Sequence, residues 1–243
     1  TRPDPNSPTG LRLNISLVAP TRFEVEARQA LNEMSGFGIY APITVSFEDR
    51  LDLDNIIARH RDDARAGDEQ FDDDAFFVID ITPNSETYLQ PIQLDVGHGR
   101  YPADSARSDR YFTNDTRSTE PSVMFDTIDE DVNGNGVLDW GEDTDNDGVL
   151  DIPNVYPPGG DPRADLLDWY ELQTNTLIAR PVVPMREQTQ YAVVLTNRLV
   201  DADGEPIQSP WEWVHHTRQT QALRPIVDAL PELGLSIDDV AFA

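Results

Sequence analysis

Between positions 126 and 151 the chain carries ten acidic residues and no basic one. Such a run cannot enter an apolar core, and its charges oppose any compact form of the segment unless a cation joins them. The spacing of the acids says which cation. In DVNGNGVLDWGE, residues 131–142, Asp131, Asn133, Asn135, Asp139 and Glu142 occupy positions 1, 3, 5, 9 and 12 of a twelve-residue loop. Gly136 stands at position 6, where such a loop turns sharply, the Val137 carbonyl falls at position 7, and Leu138 follows as the apolar residue. Alternating carboxylates and amides around a glycine turn suit Ca²⁺, a hard cation that takes about six to eight oxygens. The pattern then restarts. Asp143, Asp145, Asp147, Gly148 and Asp151 take positions 1, 3, 5, 6 and 9 of a second loop, with the Val149 carbonyl at position 7 and Asn154 at position 12. A solvated acidic run has no reason to place glycine at position 6 twice in register. The expectation is two Ca²⁺ ions.

The flanks decide the type of site. The second loop begins directly after Glu142, so no helix separates the two. Pro121 lies shortly upstream, and Pro153, Pro157, Pro158, Gly159 and Gly160 exclude a long helix downstream. The loops therefore form a compact tandem. It resembles the calcium repeats of thrombospondin type 3 and dockerin modules rather than a calmodulin-type sensor. A sensor opens a Met-rich groove, whereas this chain has three Met, none of them near the loops. The calcium is expected to be structural, with Trp140 folding back on the tandem.

At 243 residues and a net charge of −27, the chain suits neither nucleic acid nor an anionic membrane surface as partner. All 18 basic residues are arginine. A salty habitat or a GC-rich genome would each leave that signature. There is no cysteine, which excludes disulfides and thiol chemistry. In a secreted chain calcium would then serve as the staple, and an extracellular or cell-surface setting is expected. No apolar run reaches the roughly 18 residues of a membrane-spanning helix.

Most remaining segments predict short strands. Leu11, Leu13, Ile15 and Leu17 alternate with polar residues, and residues 43–47 alternate likewise. Residues 75–81 form a dense apolar strand, broken by Pro83 and Asn84, with 88–96 as its hairpin partner. Residues 166–172 and 176–180 flank a turn at Thr174 and Asn175, 191–196 is a clear strand, and Asp201 to Gly204 is a tight turn. Trp211 to His216 and the final apolar run from Val240 are further strand candidates. Two segments predict helix. Thr21 and Glu24 make a capping box opening a helix over 22–35, with Phe23, Ala27, Ala30, Leu31 and Met34 on one face, ended by Gly36 and Gly38. Leu223, Ile226, Val227 and Leu230 have helical spacing within about 217–233, where Pro225 starts or kinks the segment. Many short strands with turns between them predict an all-β chain, a β-sandwich of one domain over 1–243, with the calcium loops inserted at about 126–155.

Two stretches add a resemblance. GFGIYAPITVSF at 36–47, followed by Leu51 and Leu53, resembles the opening of bacterial immunoglobulin-like (Ig-like) domains. So does the later order LIARP at 177–181, QTQYAVVLT at 188–196 and LVDADGEP at 199–206. The whole chain, with its calcium insert and the passage from Thr220 to Leu230 into Val240, is similar to the non-catalytic N-terminal region of large extracellular lipase or esterase-like proteins of Gram-negative bacteria. The resemblance implies an Ig-like sandwich and a downstream α/β-hydrolase domain.

Catalytic signatures are missing from the sequence. No serine lies in a G-x-S-x-G frame. The histidines are His60, His98, His215 and His216, and no two are four apart as a zinc helix requires. His215 and His216, adjacent on a strand, would point to opposite faces. Trp211 and Trp213 would share a face, which leaves a carbohydrate-binding module as one alternative. A surface or adhesion subunit completed by a strand from a neighbouring chain is the other. The leading expectation is a non-catalytic structural module bearing calcium.

Overall fold

The computed structural model describes residues 2–8, 10–19, 21–61, 70–97, 104–105, 122–123, 128–144, 146, 148, 150–161, 165–209 and 221–243. In chain order the elements are β1 (Arg2–Pro3), β2 (Leu11–Arg12), α1 (Arg22–Leu31), β3 (Ile43–Ser46), α2 (Leu53–Arg61), β4 (Phe76–Asp80) and β5 (Leu94–Asp95). Then follow β6 (Asp104–Ser105), β7 (Ser122–Val123), β8 (Tyr170–Glu171), β9 (Thr176–Pro181) and β10 (Tyr191–Thr196). A one-turn helix at Ile226–Ala229, two 3₁₀ turns and β11 (Val240–Phe242) close the chain. Every strand pair is antiparallel and the helices are few and short, so the chain is β-rich as expected.

Two sheets make the body. In one, β10 lies between β4 and β11, with Tyr191 opposite Asp80 and Leu195 opposite Phe76. In the other, β9 lies between β3 and β5 and also pairs with β8. The return arm of the 76–95 hairpin joins them. It begins beside β4, where the Ile92 N–H donates to the Val78 carbonyl at 2.9 Å. It ends as β5, with Leu94 opposite Pro181 of β9. A strand that bends from one sheet into the next is how two sheets come to share a core.

The β4 sequence FFVID is buried at every position, because both of its faces are covered. Phe76 and Val78 pack with Leu53 and Ile56 of α2, Leu177 and Ala179 of β9, and Tyr170 of β8. Phe77 and Ile79 pack with Ala192 and Val194 of β10 and with Ile226, Ala229, Leu230 and Leu233. The C-terminal helical segment thus roofs the outer face of the β4–β10 sheet. Pro225 stands at its N-cap, where a missing N–H costs nothing.

The helices depart from expectation in two places. In α1 the Thr21 hydroxyl does cap the Glu24 N–H, at 3.2 Å, but the helix ends at Leu31 and none of its residues is buried. Phe23 is 82% exposed. Polar contacts hold α1 instead. Arg28 donates to the Ser16 and Val18 carbonyls at 2.9 Å, and Asn32 pairs both ways with the Ile15 backbone. The second departure is α2, in a stretch for which no element was expected. Asp52 receives the Asn55 N–H at 3.0 Å, and Leu53, Ile56 and His60 are buried at helical spacing.

His60 anchors α2 to the start of β4. Its Nδ1 lies 3.0 Å from Asp74 Oδ1, and its Nε2 accepts the Ala75 N–H at 3.2 Å. The ring stacks near Phe76, centroids 4.2 Å apart. Burial, with Arg59 adding to it, pushes the imidazole down to about 3.

Candidate metal centre

The first loop, 131–142, lies wholly within the described residues. Its Asp131 carboxylate accepts the N–H groups of Asn135 and Gly136, each at 2.9 Å. The amides of Asn133 and Asn135 both reach Asp139 Oδ2, at 2.9 and 2.8 Å. The Val137 N–H returns to Asn135 Oδ1 at 2.8 Å, and Glu142 Oε2 accepts the Asp139 N–H at 2.9 Å. Positions 3, 5 and 9 therefore meet at one oxygen, while positions 1 and 12 are fixed by loop backbone. Among the described residues no three acidic, histidine or cysteine side chains gather at one point. The donors that do converge are one carboxylate and two amides. Both amides present nitrogen to Asp139, so an ion would require each to turn its oxygen inward. A carboxylate has about four lone-pair sites, and the loop's own N–H groups leave some of them open on Asp131, Asp139 and Glu142.

The second loop is described in part: Asp145, Asp147 and Val149 lie outside the described residues. What is described repeats the first loop. Asp143 accepts the Gly148 N–H at 3.1 Å, the same position-1 to position-6 contact that Asp131 makes with Gly136. Position 4 is left-handed in both loops, at Gly134 (φ 72°) and Asn146 (φ 64°). Position 6 is left-handed in both, at Gly136 (φ 72°) and Gly148 (φ 80°). A Cβ built on either position-6 glycine would meet nothing within 4 Å. Backbone handedness alone calls for glycine there.

Two residues outside the ligand pattern hold the tandem together. Glu130 is 0% exposed. Its Oε1 accepts the Thr144 N–H at 2.5 Å and the Thr144 hydroxyl at 2.7 Å, and its Oε2 accepts the Asp151 N–H at 3.2 Å. The Glu130 N–H in turn donates to the Asp151 carbonyl at 3.0 Å. The sequence does hint at it, since Glu130-Asp131 recurs twelve residues on as Glu142-Asp143. Asn154 is the other. It stands at position 12 of the second loop, but its side chain is buried and directed at the core. It donates to the Leu167 and Tyr170 carbonyls and accepts the Leu172 N–H at 2.9 Å. The second loop therefore closes on backbone rather than on a ligand. Trp140 does not fold back: it is fully exposed, because Gly141 at φ 94° turns the chain away behind it.

Other candidates add little chemistry. His98, Trp211, Trp213, His215 and His216 lie outside the described residues. Arg180 and Asp168 form a buried pair at 3.6 Å, beside Trp169, over which Arg61 sits at 5.8 Å. Burial raises the Asp168 carboxyl, while Arg180 works against it. That group packs closely at the end of β5 and β9. A Cβ on Gly97 would fall within 2.5 Å of Arg61 and Trp169. No helix among the described residues is long and apolar enough to cross a membrane. No protein-family model, no curated protein and no solved structure matches this chain.

Proposed function

We propose that this chain is an extracellular, non-catalytic structural module that binds Ca²⁺ at its tandem loops and belongs to a larger secreted lipase-like protein, with an Ig-like sandwich as its frame. Asp131, Asn133, Asn135, the Val137 carbonyl, Asp139 and Glu142 would hold the first ion. Asp143, Asp145, Asp147, the Val149 carbonyl and Asp151 would hold the second. Calcium would offset part of the charge of an all-acidic segment and so let it pack against the body. The observation that carries the proposal is the shared loop geometry. Both loops have left-handed backbone at positions 4 and 6, and in both the position-6 N–H meets the position-1 carboxylate. Calorimetric titration of chelator-stripped protein is the test. Extracellular oxygen sites bind at roughly 10⁻⁴–10⁻³ M. At about 10 to 100 times the dissociation constant, linkage adds about 1.4–2.7 kcal/mol per site. Absence of binding heat, with an unchanged melting curve in millimolar calcium, would refute it.

A second reading rests on β11. It pairs with β10 on one side only among the described residues and stands at the edge of its sheet. An edge strand can be extended by a strand from a neighbouring chain, as an adhesion subunit would use it. Concentration-dependent assembly, abolished by a proline at Ala241, would favour this over the structural module.

A further inference from the structure

We infer that Glu130 is the coupling residue of the tandem, making occupation of one loop by a divalent cation promote occupation of the other. The inference rests on the calcium reading above and deepens it. Glu130 immediately precedes Asp131, the first ligand position of the first loop. Its carboxylate nevertheless grips the second loop at both ends. Thr144, at position 2 of that loop, donates its N–H and hydroxyl to Oε1, and Asp151, at position 9, donates its N–H to Oε2. A main-chain bond from Glu130 to the Asp151 carbonyl doubles the second attachment.

The consequence follows from charge and geometry. Glu130 is fully buried and its carboxyl takes three donors, so its hydrogen bonds are costly to break. Asp131 cannot shift toward an ion without carrying its neighbour Glu130. Glu130 cannot shift without moving Thr144, next to the first ligand position of the second loop, and Asp151, its position-9 ligand. Ordering one loop thus supplies part of the order that the other needs, and two sites that share an ordering cost fill cooperatively. Glu142, twelve residues on, closes only within its own loop, on the Asp139 N–H. The Glu130 carboxyl, by contrast, reaches from one loop to the other. Its role is positional: its oxygens hold the Thr144 N–H and hydroxyl and the Asp151 N–H.

The experiment is calorimetric titration of CaCl₂ into the chelator-stripped full chain and into Glu130→Gln. The variant keeps the shape but sets an NH₂ against N–H donors. The full chain should take up two ions with a Hill coefficient above about 1. E130Q should keep first-loop affinity within about threefold, lose cooperativity and bind the second ion about tenfold more weakly, the scale of one hydrogen bond. If E130Q loses its folded circular-dichroism spectrum, Thr144→Val carries the test. It removes only the hydroxyl donor and should lower the Hill coefficient in the same direction. Uptake of two independent ions by the full chain, or an unchanged isotherm in the folded variant, overturns the coupling and leaves the calcium reading standing. No uptake by the full chain overturns both.

Discussion

Acidification should loosen this protein through one residue, His60. Two of its contacts pull in opposite directions. Asp74 Oδ1, 3.0 Å from Nδ1, favours the imidazolium. The Ala75 N–H aimed at Nε2 from 3.2 Å opposes it, because a protonated Nε2 would set two donors face to face. Burial of the ring decides for the neutral form and holds the group at about 3, with Arg59 helping. An unfolded histidine titrates near 6.5. Between those values the unfolded chain binds a proton that the folded chain refuses, so the stabilisation is complete above 6.5 and is lost as pH falls toward 3. Each pH unit in that window costs about 1.4 kcal/mol, which comes to about 2.5 kcal/mol between pH 7 and 4.5. For a chain of this size that is a drop of roughly 5–10 °C in melting temperature. The many carboxylates also respond to acid, so the comparison is with His60→Gln, which keeps them and removes the imidazole. Thermal or urea unfolding of both proteins from pH 7 to 4.5 gives the difference. The wild-type curve should fall more steeply by the amount stated. Parallel curves, or an imidazole pKa at or above 6.5 by NMR of the folded chain, would refute the reasoning.

Three further outcomes are expected. Gly136→Ala and Gly148→Ala should each destabilise the tandem by about 1–2 kcal/mol, from left-handed backbone alone, since their surroundings are open. Limited proteolysis around 130–150 reads this directly, and unchanged cleavage rates would count against the shared geometry. Asn154→Ala strands two buried carbonyls and one N–H, and should cost about 3 kcal/mol or more in urea unfolding; a loss below about 1 kcal/mol would mean the side chain is not an anchor. With calcium saturating, the melting temperature should climb from low to molar NaCl, because salt screens the self-repulsion of a −27 chain. A flat or falling response would show that repulsion does not limit stability.

Most strands were legible because their physics is local. Residues 75–81 and 191–196 are apolar and β-branched enough to announce themselves, and they pair as β4 and β10. The hairpin at 170–181 was marked by its turn residues, and Asn175 does take a positive φ of 49°. Helix α2 was legible in principle, since Asp52 caps it and Leu53, Ile56, Ile57 and His60 follow the helical period, but a histidine on the apolar face disguised the pattern. The apolar spacing of α1 misled, because spacing says which residues share a face and not whether anything covers that face. Within the tandem, every proposed first-loop ligand position comes from one sequence motif, and the turns that motif calls for are there, left-handed at Gly134 and Gly136. Glu130 could not be read that way, since its significance lies in what it reaches, fourteen and twenty-one residues away at Thr144 and Asp151. Asn154 fitted the ligand frame by register and was claimed by the core instead.

Trp140 gives this chain an optical probe of its own. Its indole stands fully in solvent on the first loop, whereas Trp169 is buried in the core. A dissolved collisional quencher reaches the first ring and not the second, and the emission that the loop adds to that of Trp169, Trp211 and Trp213 is read by difference. Trp140→Phe subtracts the loop signal and identifies it. The proposed cation loading can then be tested optically in the native chain, without a label, in the same cuvette in which unfolding of the core is recorded.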